Sequence, residues 1–354
     1  MTLPPDDEPH AAQPSAELTG ELPVENCGKD DAPAESNPGL ALIPTLPSNS
    51  NSANEDPSQA AALTPQPGPE EPHLFANVFQ PEVPPPVRIP HIGHVLLFAV
   101  YLGLGLIVSY ILLGVAVHFR LFHVSTLQAT VNDIHYALGS ELILYLVAFA
   151  AAYFTFPLIW HKSFFAGLDW NGSTALRLRW SLIGVGCLCF LLAILNIIFV
   201  PGPSNTPIEK IFKQPGAAWL LFFFGITFAP FFEELFFRGF LLPALCTAYD
   251  WLAEKFFHSP QRSLGSDGQP HWSFSAMVIA SLVTSVPFAL MHAEQTGNSV
   301  DAVVLLGFVS LALCAVRLIT RSLASSVLVH AFYNFLIFSM MLLGTEGFKH
   351  LDKM

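Results

Sequence analysis

Apolar residues fall into seven long blocks after residue 90, and polar residues are mostly confined to the segments between them. Most blocks reach the ~20 residues that a helix needs to cross the hydrocarbon core of a bilayer. They lack the alternation of barrel strands, and only helices or closed barrels satisfy their backbone in lipid. The predicted spans are 94–118, 138–160, 180–200, 216–245, 273–293, 300–319 and 323–344. We therefore predict an all-α fold, a polytopic transmembrane helical bundle of seven or eight spans, since the fourth block continues as an amphipathic extension.

The first 90 residues differ in composition from the rest of the chain. They hold 14 acidic and 2 basic residues, whereas the remainder holds 13 of each, so the net charge of −12 belongs to this segment. Its many Pro, Ser and Asn residues leave too little apolar surface to offset chain entropy, which predicts a disordered tail. The predicted organisation is a tail at 1–90, a transmembrane domain at 91–345 and a short C-terminal tail at 346–354. We expect no signal peptide, because the first residues are acidic.

The overall composition, 52% hydrophobic and 12% charged, indicates an integral membrane protein. It predicts the lipid bilayer as a partner and no nucleic acid. With seven spans, eight basic loop residues, Arg317 and Arg321 among them, lie on the side of the N-terminus and five on the other. The positive-inside rule then favours a cytoplasmic tail, and we expect a bacterial inner membrane. The five cysteines do not suggest a disulfide framework.

Five ionisable side chains lie inside or at the end of these apolar blocks, where a charge costs about 2.5–3.5 kcal/mol on insertion scales. Such residues indicate a functional site in which they are each other's partners. They are Glu233, Glu234 and Arg238 in the fourth block, His292 in the fifth and His330 in the seventh.

The spacing within the fourth block assigns different tasks to its two carboxylates. Glu234 and Arg238 are four residues apart, so on a helix they face the same way and can pair. Glu233 is rotated by ~100° from Glu234 and can point into a cavity. A desolvated carboxylate is a stronger base, which suits a general base near neutral pH.

His330 and Asn334 are also one helical turn apart and can present a ring nitrogen and an amide to one point. Two histidines and a carboxylate from different helices suit a zinc-like ion with an open coordination position. They equally suit a metal-free base with donors for a developing oxyanion. Either arrangement can hydrolyse an amide. The structural alternatives are histidines bonded to neighbouring carbonyls and a Glu–Arg pair that only locks a helix.

Three short segments resemble the motifs of a known family. Residues 233–238 (EELFFR), 288–292 (FALMH) and 330–334 (HAFYN) are similar to the three motifs of the CPBP intramembrane proteases. That family includes the type II CAAX prenyl endopeptidases and the bacteriocin-processing and immunity proteins. The resemblance covers roughly residues 90–345, and the acidic tail is not part of the family pattern.

The resemblance implies a role for each motif residue. Glu233, with His292, would activate the attacking water, and His330 and Asn334 would complete the site as metal ligand and neighbour or as the oxyanion hole. Glu234 and Arg238 would hold the motif helix in place. A divalent ion such as zinc would be held by His292, His330 and Glu233, and a metal-free glutamate mechanism stays open.

The leading functional hypothesis is an intramembrane endopeptidase acting on a membrane-associated peptide or protein, with prenylation of the substrate left open. A proton-coupled transporter is the first alternative, because proton relays also use intramembrane Glu, His and Arg. Against it, no inverted repeat mirrors the acid-bearing fourth block. A catalytically silent scaffold of the same family is the second alternative.

Two further expectations concern geometry. His292 lies near the end of its block, whereas His330 lies about 8 residues into its own, with one span reversing direction between them. For the two to meet, either the site lies well inside the bilayer or the fifth helix continues past Glu294, and we expect the second. Glu294 can also approach the site, but its place at the helix end favours a solvated side chain. Glu141, after Gly139 and Ser140, is interpreted as an acid at a helix N-terminus, where the helix dipole favours it.

Overall fold

The structure is a computed structural model that describes residues 89–121, 133–200, 210, 212–214, 216–260 and 271–349. Nearly all of the predicted tail at 1–90, and the last five residues of the predicted C-terminal tail, lie outside these ranges. Within them the chain is helical and contains no strand.

The helices follow the apolar blocks closely. They are α1 Ile92–His118, α2 Ile134–Trp160, α3 Phe164–Gly167, α4 Gly172–Arg177, α5 Arg179–Phe199, α6 Ala217–Ile226, α7 Phe228–Glu234, α8 Leu242–Phe256, α9 Phe274–Met291, α10 Val300–Thr320 and α11 Leu323–Gly344. Among the described residues, seven helical stretches are long and apolar enough to cross a membrane, counting Ala217–Phe256 as one. The predicted all-α class is confirmed, and the chain is an integral multi-pass membrane protein.

Polar side chains mark the starts of the helices that matter for the site. The carboxylate of Asp133 accepts a hydrogen bond from the backbone N–H of His135 at the start of α2. The hydroxyls of Ser273 and Ser322 accept from the third residue beyond them and begin α9 and α11. Side-chain acceptors of this kind satisfy N–H groups that have no partner inside the helix.

The fourth span is not one continuous α-helix, which the sequence pattern did not predict. It breaks at Thr227, whose φ and ψ are −122° and −75°. Pro230 lies three residues further and has no N–H to donate to the preceding turn. A π-helical segment, Leu235–Leu241, then joins α7 to α8. Short π-helical insertions of this kind occur frequently at functional sites.

The fourth span is packed on one side by an aromatic core. In this core Phe98 of α1 stacks on Phe240 at 4.6 Å between ring centroids, and Phe156 of α2 stacks on Trp160 at the same distance. The π-helical segment also contacts α9, α10 and α11, which carry the later part of the chain. The motif residues of the fourth span therefore lie inside the bundle rather than on its lipid-facing surface.

Arg317 is not the loop residue that the charge count assumed. It lies within α10, its side chain is 2% exposed, and its guanidinium donates to the carboxylate of Asp169 at 2.8 Å. The count that favoured a cytoplasmic N-terminus therefore loses one of its eight charges, because a buried and paired arginine is not a loop charge.

Candidate active site

Glu233 is the last residue but one of α7, and its carboxylate faces two histidines from two other spans. The Oε2 atom lies 3.7 Å from Nε2 of His292 and 3.8 Å from Nε2 of His330. This oxygen is buried and has no hydrogen-bond partner within the described residues. Separations of this length are too long for hydrogen bonds and suit bridging by one small species such as a water molecule.

The other nitrogen of each imidazole is already engaged, which determines how the rings present themselves. Nδ1 of His292 lies 2.8 Å from the carbonyl oxygen of Phe288, and Nδ1 of His330 lies 2.9 Å from Oε1 of Glu234. Both partners are acceptors, so in each ring Nδ1 carries the hydrogen. In the neutral form the lone pair is then on Nε2, which faces Glu233.

Glu234 and Arg238 form the pair that their spacing predicted, and the pair does more than join two turns of a helix. Arg238 donates to Oε1 of Glu234 at 2.8 Å, and both side chains are fully buried. The same guanidinium donates to the backbone carbonyl and the hydroxyl of Ser310 on α10, at 3.0 and 2.7 Å. Because Oε1 of Glu234 also accepts from His330, the arginine and the histidine are linked through one carboxylate oxygen.

Phe288 supports this arrangement from α9. Its ring lies under the guanidinium of Arg238, 4.5 Å from the guanidinium carbon, in a cation–π contact. The ring is also 4.9 Å from the imidazole of His292 and 5.8 Å from that of His330. The phenylalanine of the second motif thus packs against side chains from all three motifs.

Asn334 lies one turn after His330, but its amide serves a different element. Its Nδ2 donates to the carbonyl oxygen of Gly225 at 2.8 Å, next to the break between α6 and α7. An amide nitrogen carries two hydrogens, and this bond uses one of them. The structure therefore shows Asn334 bracing the broken fourth span and leaves its role toward an oxyanion a prediction.

The histidines meet in a different way from the one we expected. Helix α9 ends at Met291 and turns follow, so the expectation that it continues past Glu294 is wrong. Glu294 is exposed, as expected.

The two helices instead begin at different levels along the fourth span. The start of α9 is fixed at Asp250, whose carboxylate accepts from the N–H and hydroxyl of Ser273. Helix α11 begins beside Gly239, because a Cβ built there would lie 3.2 Å from Leu323. Asp250 and Gly239 lie 11 residues apart along the fourth span. This offset accounts for most of the difference in how far each histidine lies from the start of its own helix.

Glu141 and Tyr145 were not predicted to be near the site. The hydroxyl of Tyr145 donates to Glu141 at 2.7 Å, and its ring stacks on Phe232, the neighbour of Glu233, at 4.7 Å. Glu141 interacts electrostatically with both Glu233 and His292. It lies in the second turn of α2, which begins at Ile134, so its interpretation as an N-terminal acid is wrong. The signal available in the sequence was a Glu and a Tyr four residues apart in an apolar block.

The residues at the centre of the site are of the types that bind zinc in proteins. Two imidazoles offer Nε2 while Nδ1 is held by a backbone carbonyl or a carboxylate, which is how metal-binding histidines are oriented. The buried Oε2 of Glu233 completes a set of three donors. As placed, no group of three or more His, Cys, Asp or Glu side chains in the described part of the chain could hold a metal ion. The residue types therefore fit a zinc ion, whereas their positions as they stand do not form a metal site.

Fold and site together define a polytopic helical membrane protein with a partly buried acid–imidazole centre formed by three spans. Residues 215–336 match a family model described as type II CAAX prenyl endopeptidase Rce1-like, and this segment contains all six predicted site residues. Searches of curated proteins and of solved structures found no match. This match supports the resemblance to the CPBP intramembrane proteases that the three motifs indicated.

Proposed function

We propose that the protein is an intramembrane endopeptidase in which Glu233 activates a water molecule. The observation that carries this proposal is the buried, unpartnered Oε2 of Glu233, within 4 Å of Nε2 of both His292 and His330. A buried carboxylate oxygen without a hydrogen-bond partner can accept a proton from a water molecule placed beside it, which is the task of a general base. The site residues named from the sequence keep their predicted roles within this proposal.

The reaction follows from these positions. Glu233 accepts a proton from a water molecule that lies between it and the two imidazoles, and the water oxygen forms a bond to the carbonyl carbon of the substrate. The resulting tetrahedral species collapses, the C–N bond breaks, and the proton held by Glu233 is transferred to the leaving amine. The second N–H of Asn334 would stabilise the oxyanion, and His330, oriented by Glu234, would do so as an imidazolium that also carries a hydrogen on Nε2.

A divalent ion such as zinc, if bound, would be held by His292, His330 and Glu233 and would supply Lewis-acid polarisation of the water and the carbonyl. In that case Glu234 and the carbonyl of Phe288 would keep Nε2 of each ring directed at the ion. Without an ion, the same two bonds direct Nε2 toward the water. A chelator titration with measured metal content separates these two modes.

The substrate we propose is a membrane-associated peptide or protein, because the site lies on spans and not on a soluble domain. Whether the substrate carries a prenyl group is decided by comparing prenylated and unprenylated peptides of one sequence. We further propose a bacterial inner membrane with the N-terminal tail on the cytoplasmic side. The excess of basic loop residues on that side supports this orientation, even without Arg317.

The test uses purified full-length protein in proteoliposomes with an internally quenched peptide. Glu233→Gln is expected to abolish cleavage while the melting temperature stays near that of the wild type. Glu294→Gln is the matched control, because Glu294 is an exposed carboxylate on the turn after α9, and it should cleave normally. Proton flux without cleavage by the wild-type protein would indicate a transporter. Full cellular activity of Glu233→Gln would indicate a scaffold.

A further inference from the structure

The carbonyl oxygen of Arg238 cannot be satisfied within its own helix. In the π-helical segment the N–H of Leu242 donates to the carbonyl of Phe237, five residues earlier. In this register the next N–H, which would serve Arg238, belongs to residue 243. That residue is Pro243, which has no N–H. A buried carbonyl without a partner is costly, so another group has to supply the donor.

Arg317 supplies that donor from α10. Its Nε donates to the carbonyl oxygen of Arg238 at 3.2 Å. The other end of the guanidinium donates to the carbonyl of Leu168 at 3.3 Å and to Oδ2 of Asp169 at 2.8 Å. An arginine presents several donors in a rigid, planar arrangement, so one side chain can serve all three acceptors at once.

The alternative register shows why this bond matters. If the segment were α-helical, the N–H of Leu242 would donate to Arg238, and the carbonyl of Gly239 would be left facing Pro243. Arg317 donates to the carbonyl of Arg238, which is the carbonyl left without a helical partner in the π register. It therefore stabilises the π register in preference to the α register. A change of register by one residue would rotate Glu233 by ~100° relative to α8. Because α8 holds the start of α9 through Asp250, it would also move Glu233 relative to His292.

The same connection reaches the helix that carries His330. The N–H of Leu323, the first residue of α11, donates to the carbonyl of Asp169 at 3.0 Å. The hydroxyl of Ser322 donates to the carbonyl of Asn171 at 2.8 Å. Asp169 therefore contacts Arg317 with its side chain and α11 with its backbone. One guanidinium thus links the segment that follows Glu233 to the residue that begins the helix of His330.

We infer that Arg317 is a positioning residue that sets the register of the π-helical segment and thereby the alignment of Glu233 with His292 and His330. This inference rests on the proposed function, because the geometry that it protects is that of water activation. Arg317 touches neither Glu233 nor the histidines, so it acts through the backbone of Arg238 and through Asp169. A displacement of about 1 Å in a catalytic group can lower a rate by on the order of 100-fold.

The experiment compares Arg317→Met, Arg317→Lys and Asp169→Asn with the wild type. It measures kcat, KM and melting temperature with the quenched peptide, per mole of folded protein. Arg317→Met is expected to lower kcat by on the order of 100-fold with KM within about threefold. Arg317→Lys should recover part of kcat, since an ammonium group can donate to Arg238 and Asp169. Asp169→Asn, which keeps the guanidinium and is the milder change, should lower kcat several-fold.

Arg177→Met is the control, because Arg177 is an exposed arginine at the end of α4, and it should behave as wild type. If Arg317→Lys and Asp169→Asn both have wild-type kcat, the inference is overturned, even if Arg317→Met does not fold. A lowered melting temperature with unchanged kcat would show a purely structural role. Wild-type protein that cleaves no peptide would instead overturn the proposed function and this inference with it.

Discussion

Replacing Arg238 by methionine would leave a buried carboxylate without its charge partner. Methionine matches the length of the arginine stem, so the change removes the guanidinium with little loss of packing. The contacts that disappear are the ion pair with Glu234 at 2.8 Å, two hydrogen bonds to Ser310 and the cation–π contact with Phe288. Both members of the ion pair are fully buried, so water cannot replace the lost partner.

The expected cost of Arg238→Met is about 3–5 kcal/mol, the range for removing one partner of a buried ion pair. For a protein of this size, 1 kcal/mol corresponds to a shift of about 2–4 °C, so the melting temperature should fall by roughly 6–20 °C. The double variant Glu234→Gln/Arg238→Met removes the charge that the single variant strands. About 1–3 kcal/mol of the loss should therefore return, which is the coupling expected of groups in direct contact.

The measurement is thermal unfolding in detergent, followed by tryptophan fluorescence, for both single variants and the double variant. Arg179→Met, which removes an exposed arginine at the start of α5, is the control and should change stability by less than about 0.5 kcal/mol. Peptide cleavage should be lost in the double variant although part of its stability returns, because residue 234 no longer orients His330 as a carboxylate. Strictly additive losses in the double variant would refute the argument that these charges stabilise each other.

Three further substitutions test other parts of the structure. Glu141→Gln should lower kcat several-fold, because it removes a charge that interacts with Glu233. KM and melting temperature should stay constant, because the amide still accepts the hydrogen bond from Tyr145. Initial rates and unfolding curves measure these quantities. Gly105→Ala should cost about 1–3 kcal/mol in unfolding, since its Cβ would lie 2.5 Å from a backbone oxygen of α2, whereas Gly103→Ala meets nothing within 4 Å and should be neutral. Asp250→Ala should lower the free energy of unfolding by about 1–3 kcal/mol and also lower kcat, because both hydrogen bonds to Ser273 are lost. Asp250→Asn should show a smaller decrease in both quantities.

Most of what could be predicted about this protein followed from the apolar blocks and from the spacing of residues within the motifs. Seven spans could be located because each depends only on the apolarity of about 20 consecutive residues. The pairing of Glu234 with Arg238 was predictable because it depends on a spacing of one helical turn. The three motifs also named Glu233, His292 and His330 as partners before any geometry was known.

The tertiary structure decided how those residues meet. Where α9 and α11 begin depends on contacts between residues 23 positions apart, as for Asp250 and Ser273, and 151 positions apart, as for Ser322 and Asn171. No periodicity in the sequence reports such contacts, so the end of α9 and the position of Glu141 were predicted wrongly. The π-helical segment depends on a donor from α10, because Pro243 removes the local one. Sequence alone thus determined which residues lie in each span, whereas long-range hydrogen bonds determined the level and rotation at which each span presents them.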